Sequence, residues 1–262
     1  MFVDVHCHLD HPYYNDKLDE VIERAKKAGV KKIITSGTTP SSNRRVLELA
    51  KKYECVACSL GIYPADAIAT EAMQQTETLR YLEPFDVDKE LEFIRKNTDQ
   101  FIAIGEAGLD NHIIPDKLEE QKKHFEKVIA LAEKTNKPLI LHTRKAEAEV
   151  LDMLETSRIK KANLHCFGGN MKLVKRAVEF GCFFSIPAVI LRLRHFEDLV
   201  KRVPLSQLLT ETDGPFLSPY KDGRSEPAHV VLTVKKIAEI KECDEQETQK
   251  IIFQNFQKFF LR

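Results

Sequence analysis

The chain has 262 residues, of which 43% are hydrophobic and 31% charged, as in ordinary soluble globular proteins. Its 40 basic and 40 acidic residues cancel, which excludes the strong overall positive field that attracts nucleic acid, although a local basic groove stays compatible with that balance. Six scattered cysteines and the lack of an apolar run near the roughly 20 residues that cross a bilayer predict a cytoplasmic protein with reduced thiols and no membrane contact.

Short apolar runs alternate with amphipathic stretches in the first half of the chain. The apolar runs predict strands over residues 2–6, 31–35, 55–60 and 101–105. The amphipathic stretches predict helices over residues 16–28, from Ser41 to about Lys52, and from about Val87 to Lys96. A long loop containing Pro64 and Pro84 is predicted after the third strand.

The second half repeats the same unit. Strands are predicted over residues 138–142, 162–166, 182–186 and 207–211. Helices are predicted over residues 116–135, 145–156, 171–180, 192–201, 228–241 and 244–260. The aromatic residues of the closing segment, FQNFQKFF, recur at helical spacing, which predicts a stripe facing the core.

Strands that alternate with helices favour parallel pairing, and eight such units in about 260 residues fit a (β/α)₈ TIM barrel. We therefore predict an α/β chain with one domain over residues 1–262. A doubly wound open sheet is the alternative. No strand is followed by the G-x-G-x-x-G pattern typical of its dinucleotide-binding members.

Side chains able to bind metal cluster at the predicted strand ends. They are His6 and His8, Glu106, His142, His165 and Asp213. Barrel enzymes build their active sites at this rim, so residues far apart in sequence are expected to meet there. The side chains of His6 and His8 point the same way, because alternate residues of a strand share a face.

Four histidines and two carboxylates exceed the ligands that one catalytic zinc ion usually takes. The set therefore predicts two divalent ions with a bridging carboxylate. Glu106 is the predicted bridge, since it lies between the two pairs of histidines in chain order. Mixed nitrogen and oxygen ligands suit Zn²⁺, Mn²⁺ or Mg²⁺ and do not choose among them.

Six segments together resemble one family, the TatD-type metal-dependent hydrolases, amidohydrolase-like barrels often described as deoxyribonucleases. The segments are VDVHCHLD (3–10), IAIGEAGLD (102–110), LILHTRKA (139–146), LHCFGGN (164–170), LLTETDGPFL (208–217) and GRSEPAHV (223–230). They cover nearly the whole chain in the expected order, which makes the resemblance specific.

The resemblance implies a division of the ligands. One metal ion would be held by His6, His8, Glu106 and Asp213, and the second by Glu106, His142 and His165. It also implies that Asp213 handles the proton of the attacking water, a role that suits a carboxylate beside a metal-activated water.

Arg144, just past His142, and Arg224 are candidate anion-binding residues, because guanidinium suits phosphate. The family pattern has G-x-H-P after the third strand, whereas this chain has Gly61-Ile62-Tyr63-Pro64. Tyr63 can donate a hydrogen bond to substrate there but does not titrate near neutral pH.

Three functions follow from these residues. The first is a deoxyribonuclease with DNA as substrate, which a basic rim with stacking aromatics would favour. The second is a small-molecule amidohydrolase or esterase on the same two-metal site, which a closed apolar pocket would favour. The third, a binding protein with structural metal, fits poorly, because structural zinc sites are usually rich in cysteine. No protein partner is predicted.

Overall fold

Residues 1–68 and 84–261 are described by the computed structural model. Their strands form one eight-stranded parallel sheet in the order of the sequence. The strands are β1 (Phe2–Cys7), β2 (Val30–Ser36), β3 (Val56–Leu60), β4 (Ala103–Gly108), β5 (Leu139–His142), β6 (Ala162–His165), β7 (Phe183–Pro187) and β8 (Leu208–Glu211).

Helices cover the outside of this sheet. They are α1 (Leu18–Lys27), α2 (Pro40–Lys52), α3 (Val87–Lys96), α4 (Leu118–Thr135), α5 (Glu147–Glu155), α6 (Met171–Phe180), α7 (Arg194–Arg202), α8 (Val230–Lys241) and α9 (Glu245–Phe256). The predicted α/β class and (β/α)₈ barrel are confirmed. The predicted loop after β3 runs through residues 69–83, which lie outside the described residues.

The barrel closes between β1 and β8. The Thr210 hydroxyl donates to the carbonyl oxygen of Val3 (2.6 Å), and the Asp213 amide donates to the carbonyl oxygen of His6 (2.9 Å). The buried Asp4 carboxylate accepts hydrogen bonds from the amide (3.0 Å) and hydroxyl (2.5 Å) of Thr212. This seam holds the end of β1 against the loop after β8.

β4 differs from its prediction. It begins at Ala103 and reaches Gly108, whereas the apolar run predicts residues 101–105. Ala107 and Gly108 pair with Leu141 and His142 of β5. The apolar run stops at Glu106 because this side chain faces the barrel interior at its functional end, where polar groups replace the core. Glu106 therefore lies within the strand.

The closing aromatic segment packs as predicted. Phe256, Phe259 and Phe260 are all buried, and a π-helical turn, Gln257–Leu261, extends α9. The Phe259 ring lies 4.9 Å from that of Phe183 at the start of β7. No helix in the described ranges is long and apolar enough to span a bilayer. All six cysteines are free thiols, and the cytoplasmic location stays a prediction.

Candidate metal centre

The six predicted ligands lie together at the carboxyl end of the barrel. His6 is in β1 and His8 follows it, while β4, β5 and β6 carry Glu106, His142 and His165. Asp213 follows β8 in the left-handed region (φ 50°), which aspartate tolerates better than most residues.

Glu106 lies between two pairs of imidazoles. Its Oε2 atom is 3.3 Å from His8 Nε2 and 3.6 Å from His6 Nε2. Its Oε1 atom is 3.0 Å from His142 Nδ1 and 3.2 Å from His165 Nε2. One carboxylate thus presents each of its oxygens to a different group of nitrogen donors, which is the arrangement that a bridging ligand needs.

Asp213 completes the first group. Its Oδ1 atom lies 3.3 Å from the Nε2 atoms of both His6 and His8. The distances therefore group the six side chains as the resemblance implies, with Asp213 on the side of His6 and His8. The two groups are adjacent, because the ring centroids of His6 and His165 are 4.0 Å apart.

The outer ring nitrogens of these histidines contact a second set of polar atoms. Ser36 contacts His6 Nδ1 through its hydroxyl (2.9 Å) and His8 Nδ1 through its carbonyl oxygen (3.2 Å). His142 Nε2 lies 2.8 Å from Asp110 Oδ2, and His165 Nδ1 lies 3.6 Å from Glu211 Oε1. Such partners orient the imidazoles and leave the inner nitrogens for a cation.

Both carboxylates of the cluster are ionised at neutral pH. Burial alone would raise the pKa of Glu106, but His165, His142 and His8 outweigh it and hold that pKa well below its usual range. His6 and His8 overcome burial in the same way and lower the pKa of Asp213. Two anionic carboxylates among imidazoles provide the charge that a divalent cation requires.

The histidines differ in their protonation. Burial lowers the pKa of His6, which is therefore neutral. Burial opposes the protonation of His8 as well, but the Asp213 and Glu106 carboxylates raise its pKa to about 10. A proton on His8 thus partly neutralises the Asp213 and Glu106 carboxylates, as a bound metal ion would. Proton binding and metal binding at His8 therefore compete.

The cluster fits divalent metal. Its ligand atoms form three overlapping groups within 4.8 Å, namely His6 with His8 and Glu106, His6 with His165 and Asp213, and Glu106 with His142 and His165. The buried Nε2 atom of His6 has no hydrogen-bond partner among the described residues. A buried nitrogen without a hydrogen bond is unusual, and a cation bound between it and the Glu106 and Asp213 carboxylates would give it a partner.

A cavity of about 830 Å³ opens over the cluster. Arg144 and Tyr63, two of the three predicted substrate-binding residues, line it. Among the described residues, Arg224 does not line this cavity. Its guanidinium lies 5.7 Å from the exposed ring of Tyr13.

Several site residues were not anticipated from the sequence. His195, in the first turn of α7, and Phe216, in the loop after β8, line the cavity. Phe216 lies within the segment 208–217 that resembles the family, but no pattern marked its side chain. Glu211 accepts hydrogen bonds from the Cys166 amide (2.9 Å) and the Ser185 hydroxyl. Its position at the end of the buried strand β8, two residues before Asp213, is the signal that could have identified it.

Sequence comparison finds relatives that match the whole length of the chain. A family profile described as "TatD related DNase" matches residues 3–261. An uncharacterized metal-dependent hydrolase of Methanocaldococcus jannaschii is 35% identical over 100% of this chain and 97% of its own. Human deoxyribonuclease TATDN3 is 33% identical over 98% of this chain and 94% of its own.

The fold has a close counterpart among solved structures. A TatD homologue from Escherichia coli superposes with a TM-score of 0.86 at 24% identity, over 100% of this chain and 98% of that one. At this identity the likeness concerns the fold, and it agrees with a single (β/α)₈ barrel.

Proposed function

Because the chain belongs to the TatD-related DNase family, we propose that this metal-dependent hydrolase is a deoxyribonuclease that cleaves phosphodiester bonds with two divalent ions. The observation that carries the proposal is the position of Glu106, whose two oxygens face separate groups of histidines. Two adjacent cation positions at the floor of an open cavity suit the displacement of an oxygen at phosphorus.

The six side chains divide between the two positions. His6, His8 and Asp213 would hold one ion with Oε2 of Glu106, and His142 and His165 would hold the other with Oε1. The mixed donors suit Zn²⁺, Mn²⁺ or Mg²⁺. When bound, such ions lower the pKa of a water and offset charge on phosphoryl oxygens.

Asp213 is the proposed proton acceptor. Its carboxylate lines the cavity, and its lowered pKa keeps it ionised at neutral pH, the protonation state that a proton acceptor needs. Arg144 lines the same cavity, where its planar guanidinium would bind a phosphate. Tyr63 and Arg224 are the other proposed substrate-binding residues, with Arg224 outside the cavity.

Replacement of the proposed base tests this assignment. We expect Asp213→Asn to lower the rate of phosphodiester hydrolysis by about 10²- to 10⁴-fold, the range of general-base contributions. Circular dichroism should show an intact fold. Asp222→Asn is the matched control, because Asp222 is exposed in the loop after β8, and it should keep the wild-type rate. A wild-type rate in Asp213→Asn would refute the assignment.

A substrate panel tests the bond that is cleaved. Single-stranded DNA, a small phosphodiester, small carboxylic esters and small amides are incubated with Mg²⁺, Mn²⁺ or Zn²⁺. We expect cleavage of the phosphodiesters. Turnover of the amides or carboxylic esters alone would contradict the proposal and support the small-molecule amidohydrolase or esterase.

A further inference from the structure

Two cations converge on one tyrosine at the rim of the barrel. The Lys17 ammonium lies 3.3 Å from the centroid of the Tyr13 ring, and the Arg224 guanidinium lies 5.7 Å from the same centroid. Tyr13 and Lys17 belong to the connection after β1, and Arg224 to the connection after β8. These connections meet where the barrel closes. Cations placed over an aromatic face are held in position by it.

This cluster adjoins the cavity of the metal centre. The Tyr13 amide donates to the His11 ring (3.0 Å), and His11 lines that cavity. Tyr13 is 39% exposed, and Arg224 is also exposed. A polymeric substrate that extends out of the cavity past His11 would therefore pass close to Lys17 and Arg224.

Lys17 and Arg224 have no carboxylate partner among residues 1–68 and 84–261. Neither forms an ion pair with any residue in the described part of the chain. Glu226, two residues from Arg224, accepts hydrogen bonds from Arg24 Nε (2.9 Å) and Nη2 (2.7 Å) instead. Asp16, next to Lys17, and Asp222, two residues before Arg224, are exposed and likewise form no ion pair among the described residues.

In a second tyrosine and lysine pair, a carboxylate neutralises the charge of the lysine. Lys52 lies over Tyr53 at 4.7 Å from the ring centroid. Asp19 binds both residues, since it lies 3.2 Å from the Lys52 ammonium and accepts a hydrogen bond from the Tyr53 hydroxyl (2.5 Å). This pair lies at the carboxyl end of α2, and the Asp19 carboxylate neutralises its lysine. Within the described ranges, no such carboxylate binds Lys17 or Tyr13 at the rim.

We propose that Lys17 and Arg224 form a phosphate subsite outside the cavity, with Tyr13 holding both cations. The subsite binds a backbone phosphate of a single-stranded polynucleotide whose scissile phosphate lies at the metal centre. The proposal rests on the proposed function and deepens it, because it assigns a polymeric substrate. A small substrate confined to the cavity has no phosphate to place there.

Salt dependence of binding tests this subsite. A fluorescently labelled single-stranded oligonucleotide is titrated with the full chain at several salt concentrations, and binding is read as anisotropy. Each phosphate contact with a single strand contributes about 0.7 to the slope of log affinity against log salt. Because both cations bind the same phosphate, we expect Lys17→Gln and Arg224→Gln each to reduce that slope by up to about 0.7 and to weaken binding severalfold at low salt. Lys52→Gln, the matched control, should keep the wild-type slope.

The outcomes separate this inference from the proposed function. An unchanged slope in both rim variants, or no binding of the oligonucleotide by the wild type, overturns the subsite. Hydrolysis of bis(p-nitrophenyl) phosphate by the wild type tests phosphodiester cleavage independently, since this ester carries no second phosphate. Oligonucleotide binding with the expected slopes, but without hydrolysis of any phosphodiester, would support the subsite and contradict the deoxyribonuclease.

Discussion

Tyr63 replaces the histidine of the family's G-x-H-P pattern, and its hydroxyl is already engaged. It donates to Asp110 Oδ2 (2.7 Å), the oxygen that also lies 2.8 Å from His142 Nε2. Burial, reinforced by the charge of Asp110, raises the pKa of Tyr63, so the hydroxyl stays protonated and donates. Tyr63 therefore acts on the metal centre through Asp110 in addition to facing the cavity.

Asp110 is the residue that orients His142. Burial would raise its pKa, but His142 and Tyr63 outweigh it and keep the carboxylate ionised. An ionised acceptor at Nε2 places the proton of His142 there and leaves Nδ1 for the cation. The other oxygen, Oδ1, accepts from the amides of His112 (2.8 Å) and Ile113 (2.9 Å), which fixes the carboxylate.

We predict that Asp110→Asn weakens metal binding at the position of His142 and His165 by about 10- to 100-fold, the usual cost of losing such a partner. The asparagine oxygen can still accept from the two loop amides, so the loop should keep its shape. Calorimetric metal titration measures the affinity. Asp116→Asn, an exposed aspartate in the same connection, is the control. Equal affinities in the two variants would show that Asp110 does not orient the ligand.

Tyr63→Phe should give a smaller loss of metal affinity than Asp110→Asn. It removes one hydrogen bond to Asp110 and leaves the contact between Asp110 and His142. The same titration measures it. A loss larger than that of Asp110→Asn would contradict this order and assign Tyr63 a direct role at the cation.

At the scale of elements, the end of the chain completes the barrel wall. Phe259, in the turn that extends α9, is 1% exposed, and its ring contacts that of Phe183 in β7. Leu261, two residues later, is 58% exposed. The aromatic spacing predicted the core-facing side, to which Phe259 belongs.

We predict that Phe259→Ala lowers the free energy of unfolding by about 3–5 kcal/mol, as buried phenylalanines do when truncated. Leu261→Ala should change it by no more than about 0.5 kcal/mol, because the side chain is exposed. Urea unfolding followed by circular dichroism measures both. Similar small effects in the two variants would mean that the closing turn lies outside the cooperative core.

At the scale of the whole molecule, the metal centre joins strands from both ends of the chain. Its ligands come together only when β1, β4, β5, β6 and β8 are folded. Metal that binds the folded state alone stabilises it by about 2.7 kcal/mol when free metal is 100 times the dissociation constant. We therefore expect metal binding at this cluster to be coupled to folding of the barrel.

We predict that the purified protein contains divalent metal and that a chelator lowers its Tm by about 5–10 °C, from that stabilisation and the usual 2–4 °C per kcal/mol in chains of this size. Scanning calorimetry measures the Tm, and elemental analysis measures the metal. His6→Ala combined with His8→Ala should lower the metal content and reduce the effect of the chelator. A metal-free wild type with an unchanged Tm would contradict the metal centre.

The sequence alone determined the order of strands and helices and the six residues of the cluster. It did so because apolar periodicity marks the strands, and the carboxyl ends of parallel strands in a barrel converge. A side chain at such an end, like His142 or His165, is placed by topology before any detail of packing is known.

Only the tertiary structure decided how these side chains are used. The sequence named Glu106 as a bridge but not which oxygen faces which histidine, and it placed Tyr63 near substrate without its bond to Asp110. It also did not indicate that Lys17 and Arg224 lie against the same tyrosine ring. These contacts depend on rotamers and on loops that meet across the closing seam, and no periodicity along the chain encodes a distance between atoms so far apart in sequence.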